Sequence, residues 1–284
     1  MSTTASRPDE VLVVEAGRRP TLDLGELWRY RDLFLLLVWR DVKARYAQSV
    51  LGIGWAVVQP LVTMVVFTVV FGGLAKIDAE GKPYALFTFT ALVPWTYFQG
   101  ALTAAGSSLV GAQNLFTKVY FPRLVIPIAP VLAKLVDFVI AFGVLLLLAG
   151  GYALGGYAVG ANLGLLALPL LIVLMMAGAA GLGMWLTALS IQYRDVKHAQ
   201  SFTVQLLVYA APVVYPTSAV PEAWRLVYAL NPMVGVIEGL RAGLLGPGPL
   251  PWDLIGMSAV GAALLLVTGA RYFARMEAIF ADVV

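Results

Sequence analysis

The sequence predicts an all-α protein that crosses a membrane several times. No charged side chain occurs over residues 138–193, and similar uncharged runs cover residues 46–75, 83–117, 199–221 and 254–270. A membrane-crossing helix needs about 20 apolar residues, so the longest run is long enough for two crossings. The hydrophobic fraction of 60% and the mean hydropathy of +0.85 exclude an ordinary water-soluble domain.

Six spanning helices follow from these runs, over residues 51–75, 84–108, 125–149, 162–190, 200–218 and 252–271. If the chain starts inside, 14 of the 19 Lys and Arg residues lie in inner segments or at their edge, and 4 lie in outer segments. Lys134 lies within a span. This asymmetry obeys the positive-inside rule and predicts that both termini are cytoplasmic.

The segments before the first span divide into two parts. Residues 1–25 are polar, lack the apolar core of a secretory signal and are expected to form a cytoplasmic tail. Residues 26–47 are predicted to form an amphipathic interface helix, with Leu35, Val38 and Trp39 on an apolar face and Arg40 and Lys43 on a basic one. Residues 48–284 then form the transmembrane domain. The interface helix is either a membrane anchor or a collar to which a cytoplasmic partner docks.

The outer segment at about 219–247 is predicted to be a re-entrant helical hairpin. Two amphipathic pieces, at about 221–230 and 233–245, are each too short to span and are separated by Asn231 and Pro232. Re-entrant backbone is tolerated only where protein or a water-filled cavity covers it. The hairpin is therefore expected to border a pathway.

Two intramembrane charges, Lys134 and Asp137, lie three residues apart in the third predicted span. At this spacing they share one helix surface and are able to pair. Each charge alone would cost at least about 2.5–3.5 kcal/mol at mid-membrane. Structural pairing is one interpretation, and a role in handling substrate or protons is the other, because intramembrane charges are functional candidates by default.

Nothing in the sequence indicates covalent catalysis, a metal site or nucleotide binding. Gly81, Lys82 and Pro83 lack the glycine loop and the Ser or Thr of a phosphate-binding loop. The chain has no Cys and a single His, which excludes a cysteine or multi-histidine metal centre. We therefore predict that the chain is not an enzyme and that it holds no metal and no cofactor of its own.

Short cytoplasmic loops and clustered aromatic residues are the remaining functional candidates. The loops around residues 114–123 and 192–196 combine aromatic and basic side chains, which suits either insertion into a partner protein or simple anchoring at the inner membrane face. The aromatic side chains divide between packing and the lining of a conduit for sugar rings. Conduit candidates are Phe67, Phe71, Tyr84, Phe87, Trp95, Tyr97, Tyr209 and Tyr215.

Short motifs in a fixed order connect the chain to a known family. They are Leu27–Asp32, Arg40–Tyr46, Leu51–Trp55, Gln59-Pro60, Leu92–Trp95, Asn114–Arg123, Tyr193–Asp195, Tyr215-Pro216 and Asn231-Pro232. With these motifs the sequence resembles the membrane subunit of bacterial ABC exporters for O-antigen polysaccharide and teichoic acid. The agreement runs from about residue 26 through nearly the whole chain.

This resemblance implies a homodimer in the bacterial inner membrane that works with two copies of a separate ATPase subunit, which would bind ATP and Mg. The cargo would be an undecaprenyl-linked polysaccharide, and nucleic acid is not an expected partner. The conduit would lie between two copies, near the first and fifth spans. Residues implied to couple to the ATPases are Asn114, Lys118, Tyr120, Arg123, Tyr193, Arg194 and Asp195. Residues implied to form the external gate are Trp224, Tyr228, Asn231, Pro232, Glu238 and Arg241.

Two alternative functions remain open at this point. An exporter of a drug or small lipid would use the same architecture with a lateral pocket instead of a glycan conduit. A membrane-embedded glycosyl- or acyltransferase would need a cluster of Asp, Glu or His near a membrane face, and the sequence shows none. Export of lipid-linked polysaccharide is therefore the function that the sequence favours.

Overall fold

A computed structural model gives the architecture of residues 25, 29–47, 52–111, 123–157, 159, 162–193, 195–246 and 248–283. Within these ranges the chain contains helices and turns and no β-strand. The α-helices are α1 (Arg31–Tyr46), α2 (Trp55–Phe67), α3 (Tyr84–Gly111), α4 (Val125–Ala133), α5 (Leu135–Leu154), α6 (Leu168–Gln192), α7 (Val196–Leu207), α8 (Glu222–Tyr228), α9 (Pro232–Leu244) and α10 (Trp252–Val283). Short 3₁₀ turns lie at Gly52–Gly54, Leu163–Ala167 and Thr217–Ala219.

Four helical segments of the described residues are long and apolar enough to cross a membrane. They are Gly52–Leu74, Val125–Leu154, Leu163–Ser190 and Trp252–Met276. Four of the six predicted spans therefore coincide with segments of the required length and composition. The described part of the chain is thus all-helical, and these segments make the protein a multi-pass membrane protein.

The second predicted span corresponds to α3, which is 28 residues long but is not among these four segments. Residues 86–95 of α3 are all buried, so this part of the helix is surrounded by protein on every side. A helix enclosed in this way does not depend on lipid and tolerates Thr88 and Thr90 among its apolar residues. The helix packs against α2, α4, α5, α6 and α9 and forms the centre of the bundle.

The fifth predicted span, residues 200–218, is not a continuous helix in the structure. Helix α7 has 12 residues and ends at Leu207, and residues 208–215 form turns before the 3₁₀ turn at Thr217–Ala219. Pro212 and Pro216 lack the N–H that would continue the helical hydrogen bonds, which explains why the helix does not extend to residue 218. We call residues 208–215 the unwound segment.

Glycine residues bring α6 and α10 into direct backbone contact. A Cβ atom on Gly269 would overlap the carbonyl oxygen of Gly181, and one on Gly181 would overlap the backbone of Leu265 and Leu266. Small residues allow this close approach of membrane helices. The α6–α10 contact is the most extensive helix pairing in the described part of the chain.

Two of the spanning segments contain local departures from α-helical geometry. The first span continues from α2 into a π-helical stretch at Thr68–Leu74, where Ala75 N donates to Val70 O at 2.9 Å. The third span is interrupted at Lys134, which lies in a turn between α4 and α5. The break separates the proline-containing helix α4 from α5 and places the charged residue at its centre.

Helix α1 packs against α4 and leaves two residues of its predicted apolar face uncovered by the rest of the chain. Leu37 is buried, whereas Leu35 and Trp39 are about two-thirds exposed. Arg40 and Lys43 are exposed as well, so the outer face mixes apolar and basic side chains. Sequence periodicity could not identify the inner face, because apolar residues such as Leu35, Leu36 and Leu37 occur consecutively.

Candidate functional site

The unwound segment is held by side chains that come from three other parts of the chain. Tyr84 Oη donates to Val214 O at 2.7 Å, Asn231 Nδ2 donates to Ala210 O at 2.7 Å, and Arg241 Nη2 donates to Val213 O at 3.3 Å. Within the segment, Tyr215 Oη donates to Tyr209 O at 2.7 Å. Backbone carbonyls released from a helix must find such donors when water is excluded. These four donors therefore make a non-helical segment possible at this position.

Arg241 is the most deeply buried of these donors. Its side chain is 6% exposed and forms an ion pair with Glu238 at 2.9 Å. The guanidinium lies 3.5 Å from the centre of the Phe87 ring, which is a cation–π geometry. Glu238 also accepts a hydrogen bond from Thr217 Oγ1 at 2.7 Å. The charge of Arg241 is thus balanced by a carboxylate and an aromatic face.

The two helices of the predicted hairpin differ strongly in burial. Asn231 caps α9 by accepting a hydrogen bond from Met233 N at 3.0 Å, and Pro232 occupies the first helical position. Nearly all of α9 is buried against α3, α6 and α10. In contrast, α8 has no buried residue, and its Trp224 is 63% exposed. The Tyr228 hydroxyl lies 3.0 Å from that of Tyr215 and donates to it, because the Tyr215 proton is used on Tyr209 O.

The eight conduit candidates occupy two kinds of environment. Phe87, Trp95 and Tyr97 are at most 3% exposed and pack within the chain, where Tyr97 Oη donates to Val131 O at 3.0 Å. These three side chains serve packing in this structure. Those that reach the surface at least in part are Phe67, Phe71, Tyr84, Tyr209 and Tyr215, of which Tyr209 is 55% exposed.

The intramembrane charges belong to a cluster that joins α1 to α5. Lys134 Nζ donates to Asp137 Oδ2 at 2.7 Å, and Arg45 Nη1 donates to the same oxygen at 3.1 Å. The other carboxylate oxygen accepts a hydrogen bond from the hydroxyl of Tyr46. Burial and this hydrogen bond raise the pKa of Tyr46 to about 12, so the hydroxyl stays protonated and donates at neutral pH. We call Arg45, Tyr46, Lys134 and Asp137 the inner charge cluster.

A polar cavity of about 370 Å³ lies beside the inner charge cluster, between α2, α3 and the first turns of α5. Arg45, Lys134 and Asp137 all contribute to its wall. A second cavity, of about 310 Å³, is almost entirely apolar and lies between α3, α6, α7 and α10. Its lining includes Trp95, Phe98 and Pro232.

The predicted coupling residues lie at the edges of the described ranges. Asn114, Lys118, Tyr120 and Arg194 fall outside the described residues. Arg123 is partly buried in the turn before α4, Tyr193 is 54% exposed at the end of α6, and Asp195 is exposed just before α7. Each of these three therefore lies at a helix boundary.

Sequence reasoning missed Arg45 and the polar wall of the cavity. Arg45 is separated from Asp137 by 92 positions, and no periodicity within one helix connects residues so far apart. Gln59 and Gln99 gave a usable signal, because each is an amide inside a predicted membrane span.

The family model for ABC-2 type transporters matches residues 32–245. The chain is 30% identical over 256 residues to the O-antigen export system permease protein RfbA of Myxococcus xanthus, covering 89% of this chain and 95% of that protein. It is 25% identical over 262 residues to the RfbA protein of Klebsiella pneumoniae, covering 92% and 97% of the two chains.

A more distant relative is named for a different cargo. The polysialic acid transport protein KpsM of Escherichia coli is 22% identical over 211 residues, covering 74% of this chain and 79% of KpsM. The similarity to all three relatives extends over most of both chains, so it reflects shared architecture and not a single motif.

Proposed function

This chain belongs to the ABC-2 type transporter family, and from that premise we propose that it forms the transmembrane subunit of an exporter for lipid-linked polysaccharide. The observation that carries the proposal is the similarity to an O-antigen export permease along 89% of the chain. Membership of the family implies an ATPase partner on a separate subunit. The cargo would be an undecaprenyl-linked polysaccharide, either an O-antigen-like glycan or a teichoic acid.

The proposed topology has six crossings with both termini in the cytoplasm. Residues 1–25 form the tail, residues 26–47 the interface helix and residues 48–284 the transmembrane domain, in the bacterial inner membrane. The four long apolar segments support four crossings. Helix α3 supplies a further one, because 28 residues at about 1.5 Å per residue exceed the roughly 30 Å of the hydrocarbon core. Helix α7 and the unwound segment together form the remaining crossing.

We propose a homodimer on the basis of the exposed face of the first span. Only 11% of the most apolar part of Gly52–Leu74 is buried in the single chain. Val62, Val65 and Val69 are each more than half exposed along this face, and Tyr209 is exposed within the unwound segment. A second copy would cover these surfaces and enclose a passage lined by the five partly exposed aromatic residues.

The external hairpin is proposed as the outer gate of this passage. Its inner helix α9 is fixed by burial, whereas α8 presents Trp224, Leu226 and Val227 outward. A movement of α8 would therefore disturb few contacts. The Tyr215–Tyr228 hydrogen bond would connect the gate to the unwound segment.

Coupling to ATP hydrolysis is proposed to occur through residues 111–123 and 192–197. ATP and Mg would bind the partner ATPase, and its closure would push these segments against α4 and α7. A ligand shifts a conformational equilibrium only through different affinities for the two states, and in this proposal the ATPase provides that difference. Arg123 and Arg194 are the proposed points of contact.

The first experiment locates the surface glycan in a strain that lacks this chain. The proposal expects undecaprenyl-linked polymer in the cytoplasm and none at the cell surface, with rescue by the wild-type gene. Rescue by Arg123→Glu should fail although the protein inserts normally, and the purified complex should hydrolyse ATP without export. Normal surface glycan in the deletion strain would refute the proposal, and tight coupling in the Arg123→Glu complex would refute the coupling assignment.

The apolar cavity favours one alternative, the export of a drug or small lipid. Its volume of about 310 Å³ and its lining by Trp95, Phe98 and Leu264 suit a small apolar molecule and not a sugar chain. In that case the deletion strain would keep its surface glycan and change its drug sensitivity or its lipid distribution. The same strain therefore separates the two functions.

A further inference from the structure

The polar cavity beside the inner charge cluster includes none of the residues proposed above for the passage, the gate or the coupling to ATP hydrolysis. It lies where α2, α3 and α5 meet, and Arg45 of α1 closes one side. The cavity volume of about 370 Å³ is within the range of small-ligand sites. Polar side chains in its wall, besides the charged ones, are Gln59, Thr96, Gln99, Thr103 and Ser107.

The hydrogen bonds already made in this wall determine which donors face a ligand. Thr96, Thr103 and Ser107 each donate to a carbonyl oxygen of α3 itself. Their hydroxyl protons are therefore in use. The amides of Gln59 and Gln99 donate to no other group among the described residues, so the wall contains two amide donors in addition to its cations.

The cavity carries one excess positive charge. Arg45 and Lys134 both bind Oδ2 of Asp137, so two cations share one carboxylate. Among the described residues, the hydrogen bonds of Arg45 leave from Nη1 only, and a guanidinium has five N–H donors. The Lys134 ammonium has three donors, of which one is directed at Asp137.

The position of Lys134 is supported by the opposite helix. A Cβ on Gly100 of α3 would lie 3.0 Å from Lys134 Cε and 3.2 Å from Nζ. The absence of a side chain at Gly100 therefore leaves space for the ammonium group along the cavity wall. The space at Gly100 therefore accommodates the Lys134 ammonium within a membrane span. An uncompensated charge at such a position is costly.

We propose that this cavity binds the phosphate group of a membrane lipid. An anion would balance the excess charge. It would also accept hydrogen bonds from the free N–H groups of Arg45 and Lys134 and from the amides of Gln59 and Gln99. The lipid source follows from the surroundings, because the cavity wall includes residues of the membrane-spanning segments Gly52–Leu74 and Val125–Leu154. The inference rests on the proposed function, because the topology proposed there places the cavity in the inner leaflet of the membrane. The same chemistry fits a polyprenyl carrier phosphate and an ordinary anionic phospholipid.

The test measures lipid binding to the full-length chain in neutral detergent by native mass spectrometry. The probes are a polyprenyl monophosphate, phosphatidylglycerol and inorganic phosphate. Lys134→Met should weaken binding of the lipid phosphates about 10-fold or more, because a charge-assisted hydrogen bond is lost. Lys134→Arg should restore binding to within about threefold. Lys76→Met, the same change at an exposed outer lysine, should have no effect.

A second variant covers the case in which Lys134→Met fails to fold. Gln99→Leu leaves the inner charge cluster intact and removes one amide donor, and it should weaken binding severalfold. Equal affinity of the wild type, Lys134→Met and Gln99→Leu proteins for both lipid phosphates would overturn the proposal. Displacement of bound lipid by inorganic phosphate at equal concentration would overturn the lipid assignment.

The probes also separate the two lipid sources. Preference for polyprenyl phosphate identifies the carrier as the occupant, and equal affinity identifies a general phospholipid site. Failure of this proposal is distinguishable from failure of the proposed function. Absent phosphate binding together with normal glycan export removes only the site, whereas normal surface glycan in the deletion strain removes the export function itself.

Discussion

Replacing Arg241 by Met tests whether this buried arginine holds the unwound segment in place. Met is similar in length and apolar, so the change removes the guanidinium with little loss of volume. It deletes the ion pair with Glu238, the hydrogen bond to Val213 O and the contact with the Phe87 ring. We expect the carbonyls of residues 208–215 to lose their best-buried donor.

The magnitude follows from the burial of the pair. The side chains of Arg241 and Glu238 are 6% and 18% exposed, so solvent screens their interaction weakly. Removal of one partner of a buried pair costs about 3–5 kcal/mol. The cation–π contact of about 1–2 kcal/mol overlaps with this figure and is not added to it. At about 2–4 °C for each kcal/mol, the apparent Tm should fall by roughly 6–20 °C.

A local assay separates opening of the segment from general loss of stability. The chain has no Cys, so a single introduced thiol reports on one position. Ala211→Cys places the thiol in the unwound segment, and Ala188→Cys places it in α6; both alanines are 0% exposed. Thiol labelling in native conditions should increase at least about 10-fold at position 211 when Arg241→Met is added, because local opening precedes the reaction.

Labelling at position 188 distinguishes local opening of the unwound segment from a general loss of stability. Labelling at position 188 should stay slow with Arg241→Met, and Lys76→Met should leave both positions unchanged. Equal labelling at position 211 with and without Arg241→Met would refute the role of Arg241 in holding the segment. An equal increase at both positions would show a general loss of stability instead of local opening.

Three further changes test other parts of the structure. Gly269→Ala should reduce stability by about 3 kcal/mol or more, because the new Cβ overlaps backbone of α6. Gly256→Ala on the same helix meets open space and should be neutral. Equal yields of folded protein for the two variants in size-exclusion chromatography would contradict this. Asp137→Asn should cost about 2–4 kcal/mol by leaving two cations with one neutral acceptor, and a change in apparent Tm below about 2 °C would contradict it. The raised pKa of Tyr46 stabilises the folded protein fully below about pH 10, and this contribution is lost as pH rises through about 12. Tyr46→Phe should therefore show a smaller fall in apparent Tm above about pH 10 than the wild type, and identical curves would contradict this.

The membrane class was predictable from the sequence because it depends on composition and on long uncharged runs. Residues 138–193 require lipid or protein around them whatever their neighbours are. The turn at Asn231 was predictable for a local reason, since its amide caps α9 and Pro232 begins the helix. Signals of this kind lie within a few residues and need no knowledge of tertiary structure.

The environment of the aromatic residues was not predictable in the same way. Phe87, Trp95 and Tyr97 belong to the same uncharged run as the partly exposed Tyr84, yet they are buried. The difference depends on which faces of α3 are covered by other helices, and an almost uniformly apolar helix does not encode that choice in its pattern. Arg45 was missed because its partner is on another helix.

The backbone contact between Gly181 and Gly269 has a mechanical consequence. Two helices whose backbones touch without intervening side chains cannot slide or rotate against each other without a steric clash. Helices α6 and α10 should therefore behave as one rigid unit. In the first span, by contrast, only 11% of the most apolar part is buried within one chain, so this span is held less firmly. A conformational change in a partner ATPase would therefore displace the first span, and the first span would move relative to a fixed α6–α10 pair.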